Sequence, residues 1–311
     1  MILSSSRAEI SPPAGQESAI TVDSAIVESD LIARLVGAQR PGAAPAALPD
    51  PVRLGRRMAA MYADWERARQ PDLPALAGAL LHSNAIPPDG PLARTCLAAA
   101  QAVAAWGGLP YHSATHHAEV ATNATVLTEL AARQGQPVSW HARALLLAAC
   151  LGHDLNYLPS VAKERFAAEH IAAEALDGMA AACGCELADR QAIRALVIAT
   201  EPGLRLRPGG PLGTPLDPTA ARLLHPAAVD PALAALAEIL SDADLLSSVG
   251  LTTAWYRVQQ KRLEREAGRA YEAGDSERFF SDIVGPDFLS APGRVFSANL
   301  ALIRRTACGA C

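Results

Sequence analysis

Residues 140–154 read WHARALLLAACLGHD. The unbroken apolar run Ala144–Leu151 predicts a helix over Trp140–His153, closed by Gly152 and the adjacent pair His153–Asp154. Two neighbouring side chains reach one metal ion only where helical geometry ends or tightens, and a glycine just before them permits that ending. Outward from this segment the same helical periodicity returns near Val52–Ala68, Leu92–Trp106, Thr115–Arg133, Ala162–Ala182, Ala188–Thr200, Pro231–Val249, Thr252–Ala273 and Gly293–Thr306. No alternating run bounded by hairpin turns and no glycine-rich phosphate loop is present. The expected fold class is all-α.

Composition agrees. Alanine is abundant and aromatics are only 5% of the 311 residues, which favours helices packed closely through small side chains. With 27 basic against 32 acidic residues the net charge is −5, which argues against a nucleic-acid polymer as partner. The longest charge-free stretch, Thr95–Ala118, is too weakly apolar to span a bilayer, and the first residues lack a secretory apolar run. Six cysteines do not make a disulfide framework in so long a chain, and a thiolate zinc site using Cys183, Cys185, Cys308 and Cys311 would rest on a frayed terminus. A cytoplasmic, reduced protein without membrane partners is expected. Residues 1–49, rich in Ser, Pro, Ala and Gly, are expected to form a flexible leader with one short helix. An N-terminal helical extension over 50–95 and a main domain over 96–311 follow.

Six of the eight histidines fall between positions 112 and 170. His112 and His116 are four residues apart, on one face if their segment is helical. Farther on, Asp244 extends the stripe Leu233, Leu236, Leu240 and is expected on a buried face, where a carboxylate is costly unless paired or bound to a cation. Asp242 falls on the side of Glu238 and is expected to be a solvated or supporting group. His116, His153, Asp154 and Asp244 thus form an N₂O₂ set suited to Mn, Fe, Zn, Co or Mg rather than to structural zinc. His82, His117 and His141 read as structural. Glu169 reads equally as orienting a ligand or as exposed. The long Gly/Pro loop Pro202–Asp217 reads as a lid or an insertion, and its Arg205 and Arg207 as solvated, with a phosphate clamp the alternative. The 255–271 stretch reads as an amphipathic helix whose packing needs no partner.

Five segments in order, YHSATH at 111–116, GHDLNY at 152–157, EHIAA at 169–173, IAT at 198–200 and DADLLSSVG at 242–250, give the chain a resemblance to the HD superfamily of metal-dependent phosphohydrolases. The segment YHSATHHAEV at 111–120 also resembles the signature of class I cyclic-nucleotide phosphodiesterases, and the overall order is closer to bacterial predicted HD phosphohydrolases. The likeness covers roughly residues 100–305 and implies an HD-domain helical bundle over 96–311. It implies His116, His153, Asp154 and Asp244 as ligands of a divalent ion, one being expected and a second left open. It makes His112 the general acid that protonates the leaving oxygen while an ion-activated hydroxide attacks phosphorus, so that His112 and Asp154 are the expected catalytic residues. The implied substrate is a small phosphorylated, nucleotide-like molecule. Ser113 stands where the signature has Asn, Tyr157 where class I phosphodiesterases have a histidine, and Ser276 where they have the purine-binding glutamine. Two alternatives accompany this expectation: an HD-fold iron oxygenase using His170 and His225 as further ligands, and a non-catalytic nucleotide-binding module. A homodimer is left open.

Overall fold

Several helix starts are written in the sequence as an acceptor side chain ahead of the first turn. Asp50 accepts from the Arg53 amide at 2.7 Å and Asp72 from the Ala75 amide at 3.2 Å, each with proline in the first turn. Ser139 and Thr252 do the same for the helices that follow them. The computed structural model describes residues 31–36, 47–68, 72–161, 164–207, 209–213, 218–224, 231–272 and 274–309. Most of the expected leader and His225 lie outside the described residues.

The described chain is all-α, with no strand among the described residues. In order it forms α1 (Leu31–Val36), α2 (Pro51–Arg67), α3 (Leu73–Ser83), α4 (Pro91–Trp106), α5 (Ala114–Arg133), α6 (Trp140–Gly152), α7 (Ala167–Ala182) and α8 (Leu187–Ile198). Next come the short α9 (Pro202–Arg205) and α10 (Pro218–Leu223), then α11 (Pro231–Val249), α12 (Thr253–Ala267) and α13 (Asp275–Phe279), which continues as a π-turn over Phe280–Val284. A 3₁₀ turn, Gly293–Phe296, leads into α14 (Ser297–Cys308). The periodicity finds the long helices within a residue or two at most ends. It misses α3, the short α9 and α10 and the α13 turn, and overextends α7 at its start and α12 at its end.

The organising element is α5. Every one of its residues except Glu129 and Ala132 is buried, with α6 and α11 packed along it and α1 and α3 closing the remaining sides. Its alanines and threonines let neighbours approach closely, while two polar residues fix their positions. Asn123 donates to Ala243 O at 2.7 Å and to Ser247 Oγ at 2.9 Å, pinning α11. Glu119 accepts from Gln259 Nε2 at 2.6 Å and Arg262 Nη1 at 2.9 Å, pinning α12. The buried apolar core runs unbroken from Ile32 to Ile303. The expected division between residues 95 and 96 falls inside α4, where Thr95 and Cys96 are fully buried, because this helix packs on both α3 and α6.

Candidate metal centre

His116 enters the site from the first turn of α5. Ser113 is the N-cap of that helix and accepts from the His116 amide at 3.4 Å, so the residue standing in place of the signature's Asn starts the helix that carries the ligand. His153 follows the last residue of α6, and its Nδ1–H donates to Cys150 O at 3.0 Å. That bond leaves Nε2 with its lone pair facing the site. Asp154 lies in the turn beyond, where Leu155 N bonds back to Gly152 O and Asn156 takes a left-handed conformation (φ 64°). Asp244 projects from α11, whose position Asn123 sets one residue earlier.

The other three groups all approach the His116 imidazole. His116 Nε2 lies 3.3 Å from His153 Nε2 and from Asp154 Oδ2, and 3.2 Å from Asp244 Oδ1. His153 Nε2 lies 3.0 Å from Asp154 Oδ2 and 3.7 Å from Asp244 Oδ1. Ligand bonds of about 2.1 Å would place neighbouring donors about 3.0 Å apart at right angles and about 3.4 Å apart at tetrahedral angles. The group formed by the buried His116 and His153 with the half-buried Asp244 could hold a metal ion, and Asp154 Oδ2 is within 3.3 Å of both imidazoles. Two imidazole lone pairs and two carboxylates are all acceptors, a combination that calls for a cation or for protons at its centre.

Electrostatics carry the same message. Burial disfavours the charged form of His116, but hydrogen bonds to Asp154 and Asp244 outweigh it and raise its pKa to about 9. His153 is raised well above its ordinary value against the same burial, by Asp154 and Asp244. Both aspartates, pushed up by burial, are held below the usual carboxylate range, Asp154 by His153, His112 and His116 and Asp244 by His116 and His153. Glu169, at the start of α7, is pushed up to about 7 by burial, with the charges of Asp154 and Glu201 adding to the shift. The adjacent His117 is fully buried with neither ring nitrogen hydrogen-bonded, and burial lowers its pKa well below the ordinary value.

His112 stands beside the four. Its Nε2 is 3.8 Å from Asp154 Oδ2, and its ring stacks on Tyr157 at 3.7 Å between centroids. On the other side its Nδ1 meets Glu266 Oε1 at 2.5 Å, while Glu266 Oε2 accepts from the Tyr111 and His112 amides at 2.8 and 3.1 Å. Burial pushes the Glu266 carboxyl up, yet these bonds leave it below its ordinary value. Glu266 is a residue the sequence reading missed. A signal was there: Gln259, Arg262 and Glu266 follow Trp255 at intervals of four, three and four, placing polar groups on the inward face of α12.

Two expectations need correction. Asp242 is neither solvated nor part of the centre: it is fully buried and ion-paired to Arg205 Nη1 at 2.8 Å. It also accepts from the Leu289 and Ser290 amides and from Ser290 Oγ. A Cβ at Gly293 would stand 2.3 Å from its Oδ2, so glycine is required there. Arg205 is correspondingly buried, also donating to Ser241 Oγ and Val284 O, and is not a solvated loop residue or a phosphate clamp. His170 is partly exposed and contacts Arg194 Nη2 at 3.1 Å. His82 is exposed, and His141 pairs with Asp189 at 2.9 Å. No helix among the described residues is long and apolar enough to cross a membrane. No protein-family model and no curated protein matches the chain.

Proposed function

We propose that the protein is a metal-dependent phosphohydrolase of the HD type, holding one divalent ion on His116, His153, Asp154 and Asp244 and cleaving a small nucleotide-like phosphate ester. The observation that carries this reading is the convergence of four acceptor groups beside a fifth side chain, His112, whose far nitrogen is held by a carboxylate of its own. The imidazole and carboxylate donors suit Mn, Fe, Zn, Co or Mg. Such an ion would neutralise charge on a phosphoryl oxygen and bring the pKa of a water to near neutrality.

The remaining work falls to the chain. Cys150 O fixes the tautomer of His153, and the Ser113 cap fixes the turn that carries His116. Glu266 accepts from Nδ1–H of His112 and fixes the orientation of the ring, leaving Nε2 as the nitrogen from which a proton is handed on. As a water oxygen bonds to phosphorus and the bond from phosphorus to the leaving oxygen breaks, that proton passes to the departing oxygen. Stacking on Tyr157 keeps the ring in plane for the transfer.

Metal analysis of the purified protein, followed by a panel of phosphomonoesters and cyclic and linear nucleotides with each metal, tests the reading. About one divalent ion per chain is expected, with turnover that disappears together with the ion in Asp154→Ala. Full turnover and undiminished metal content in Asp154→Ala would overturn it.

A further inference from the structure

Between the end of α5 and the starts of α6, α8 and α11 lies a cavity of about 770 Å³. The volume is within the range of small-molecule sites, about 300–1,000 Å³. Leu145, Ala192, Leu233, Leu236 and Ile239 supply its apolar walls, all five being buried side chains, and residues 290–292 join them. None of the four acceptors, and neither His112 nor Glu266, lines it. An apolar body set against these walls leaves water on several sides at once.

Three ionisable groups line the cavity, and two of them are engaged with each other: His141 Nε2 lies 2.9 Å from Asp189 Oδ1. The hydroxyls are committed too, Ser139 as the cap of α6 and Ser290 as a donor to Asp242 Oδ2 at 2.7 Å. The third ionisable group is Glu238, which is half-buried and has no hydrogen-bond or ion-pair partner among the described residues. Burial and the nearby Asp242 push its carboxyl up. Arg205 and Arg294 act on it from outside the lining and are bound elsewhere, Arg205 to Asp242 and Arg294 to the Phe288 and Leu289 carbonyls. No lysine or arginine is among the described lining residues. A half-buried carboxylate without a partner is costly, and the space beside it suits a cation with an apolar body.

We propose that this cavity binds a small organic amine, with the ammonium group on Glu238 and the apolar body against Leu145, Leu236 and Ile239. The site shares no residue with the metal centre and stands independently of the reaction proposed there.

The test compares 4-phenylbutylamine with 4-phenylbutanol and 4-phenylbutanoate, which share one apolar body and differ in the charge of the head group. Affinities are measured by calorimetry on the full chain, and the methyl resonances of Leu145, Leu236 and Ile239 report where each probe sits. The amine is expected to bind about tenfold more tightly than either analogue, equal to about 1.4 kcal/mol, and to shift those methyls with or without a chelator present. Glu238→Gln should bring the amine down to the level of the alcohol, and Glu238→Lys should turn the preference toward the carboxylate by a similar factor. Both changes are at a partly exposed position, and an unchanged melting temperature checks that each variant folds. Equal binding of the three probes, or an amine preference that survives Glu238→Gln, would overturn the proposal. Amine binding found only in chelated protein would place the probe on the metal centre and overturn it as well. Absence of saturable amine binding would end it outright.

Discussion

Asp242 and Asp244 stand two residues apart on α11, and their surroundings are opposites. Asp242 is sealed from solvent and met on every side by donors: a guanidinium, two amides and a hydroxyl. Asp244 has a quarter of its side chain exposed, and its near neighbours are imidazole nitrogens that have lone pairs of their own to satisfy. From Ile239 to Val249 it is the only residue of the helix that is not buried. Burial alone does not mark a functional carboxylate. An unmet electrostatic demand, reachable from outside, does.

That contrast can be broken by substitution. The largest effect on turnover is expected from Asp244→Ala, which should abolish metal retention and reduce activity by more than the ~100-fold that loss of an outer partner costs, while the fold persists. Asp242→Ala should do the reverse. It leaves Arg205 buried and unpaired at a cost of about 3–5 kcal/mol, read as a large drop in the denaturation midpoint, with metal still bound by the folded fraction. Equal loss of metal in the two variants would dissolve the distinction.

Smaller effects sharpen it. His112→Asn should lower kcat by about 10²–10⁴-fold with metal content unchanged, and Glu266→Gln should cost less, since it disturbs only the orientation of the acid. The metal-free protein should show a pH slope that the loaded protein lacks. His116 has a folded pKa near 9 against an ordinary 6.5, so the stability it contributes is complete below 6.5 and is lost as pH rises toward 9. Melting temperatures of chelated protein should therefore fall across that window, and a bound divalent ion, taking the place of the protons, should flatten the curve. The smallest change is expected for Ser113→Ala. Loss of the cap should cost about 1 kcal/mol and weaken metal affinity only slightly.

The four acceptor residues were legible because histidine and aspartate at the end of an apolar helix, or on its inward stripe, are conspicuous. Asp242 was misread for a definite reason. An apolar stripe marks the inward face only where a helix has one wet side; the last three turns of α11 are enclosed nearly all round, so Asp242, about 200° from Asp244, is buried as well. Its partner Arg205 and the amides of Leu289 and Ser290 come from distant loops, which periodicity cannot bring together. Glu266 is not singled out by the sequence because the 255–271 stretch reads simply as an amphipathic packing helix, whereas Arg262 and Gln259 are turned inward onto Glu119. The helix count and the all-α class needed only local pattern; the meeting of segments around positions 112, 153, 244 and 266 needed the tertiary structure.

The enclosure of α5 separates two kinds of motion. Its amides should be among the slowest in the molecule to exchange with deuterium, because releasing them requires neighbouring helices to part. His116 therefore rides on the portion that opens last, while Asp154 sits in a surface-side turn held by short-range bonds. A bound ion should come and go through transient opening of that turn, at a rate set by local breathing and largely independent of denaturant concentrations too low to unfold the whole chain.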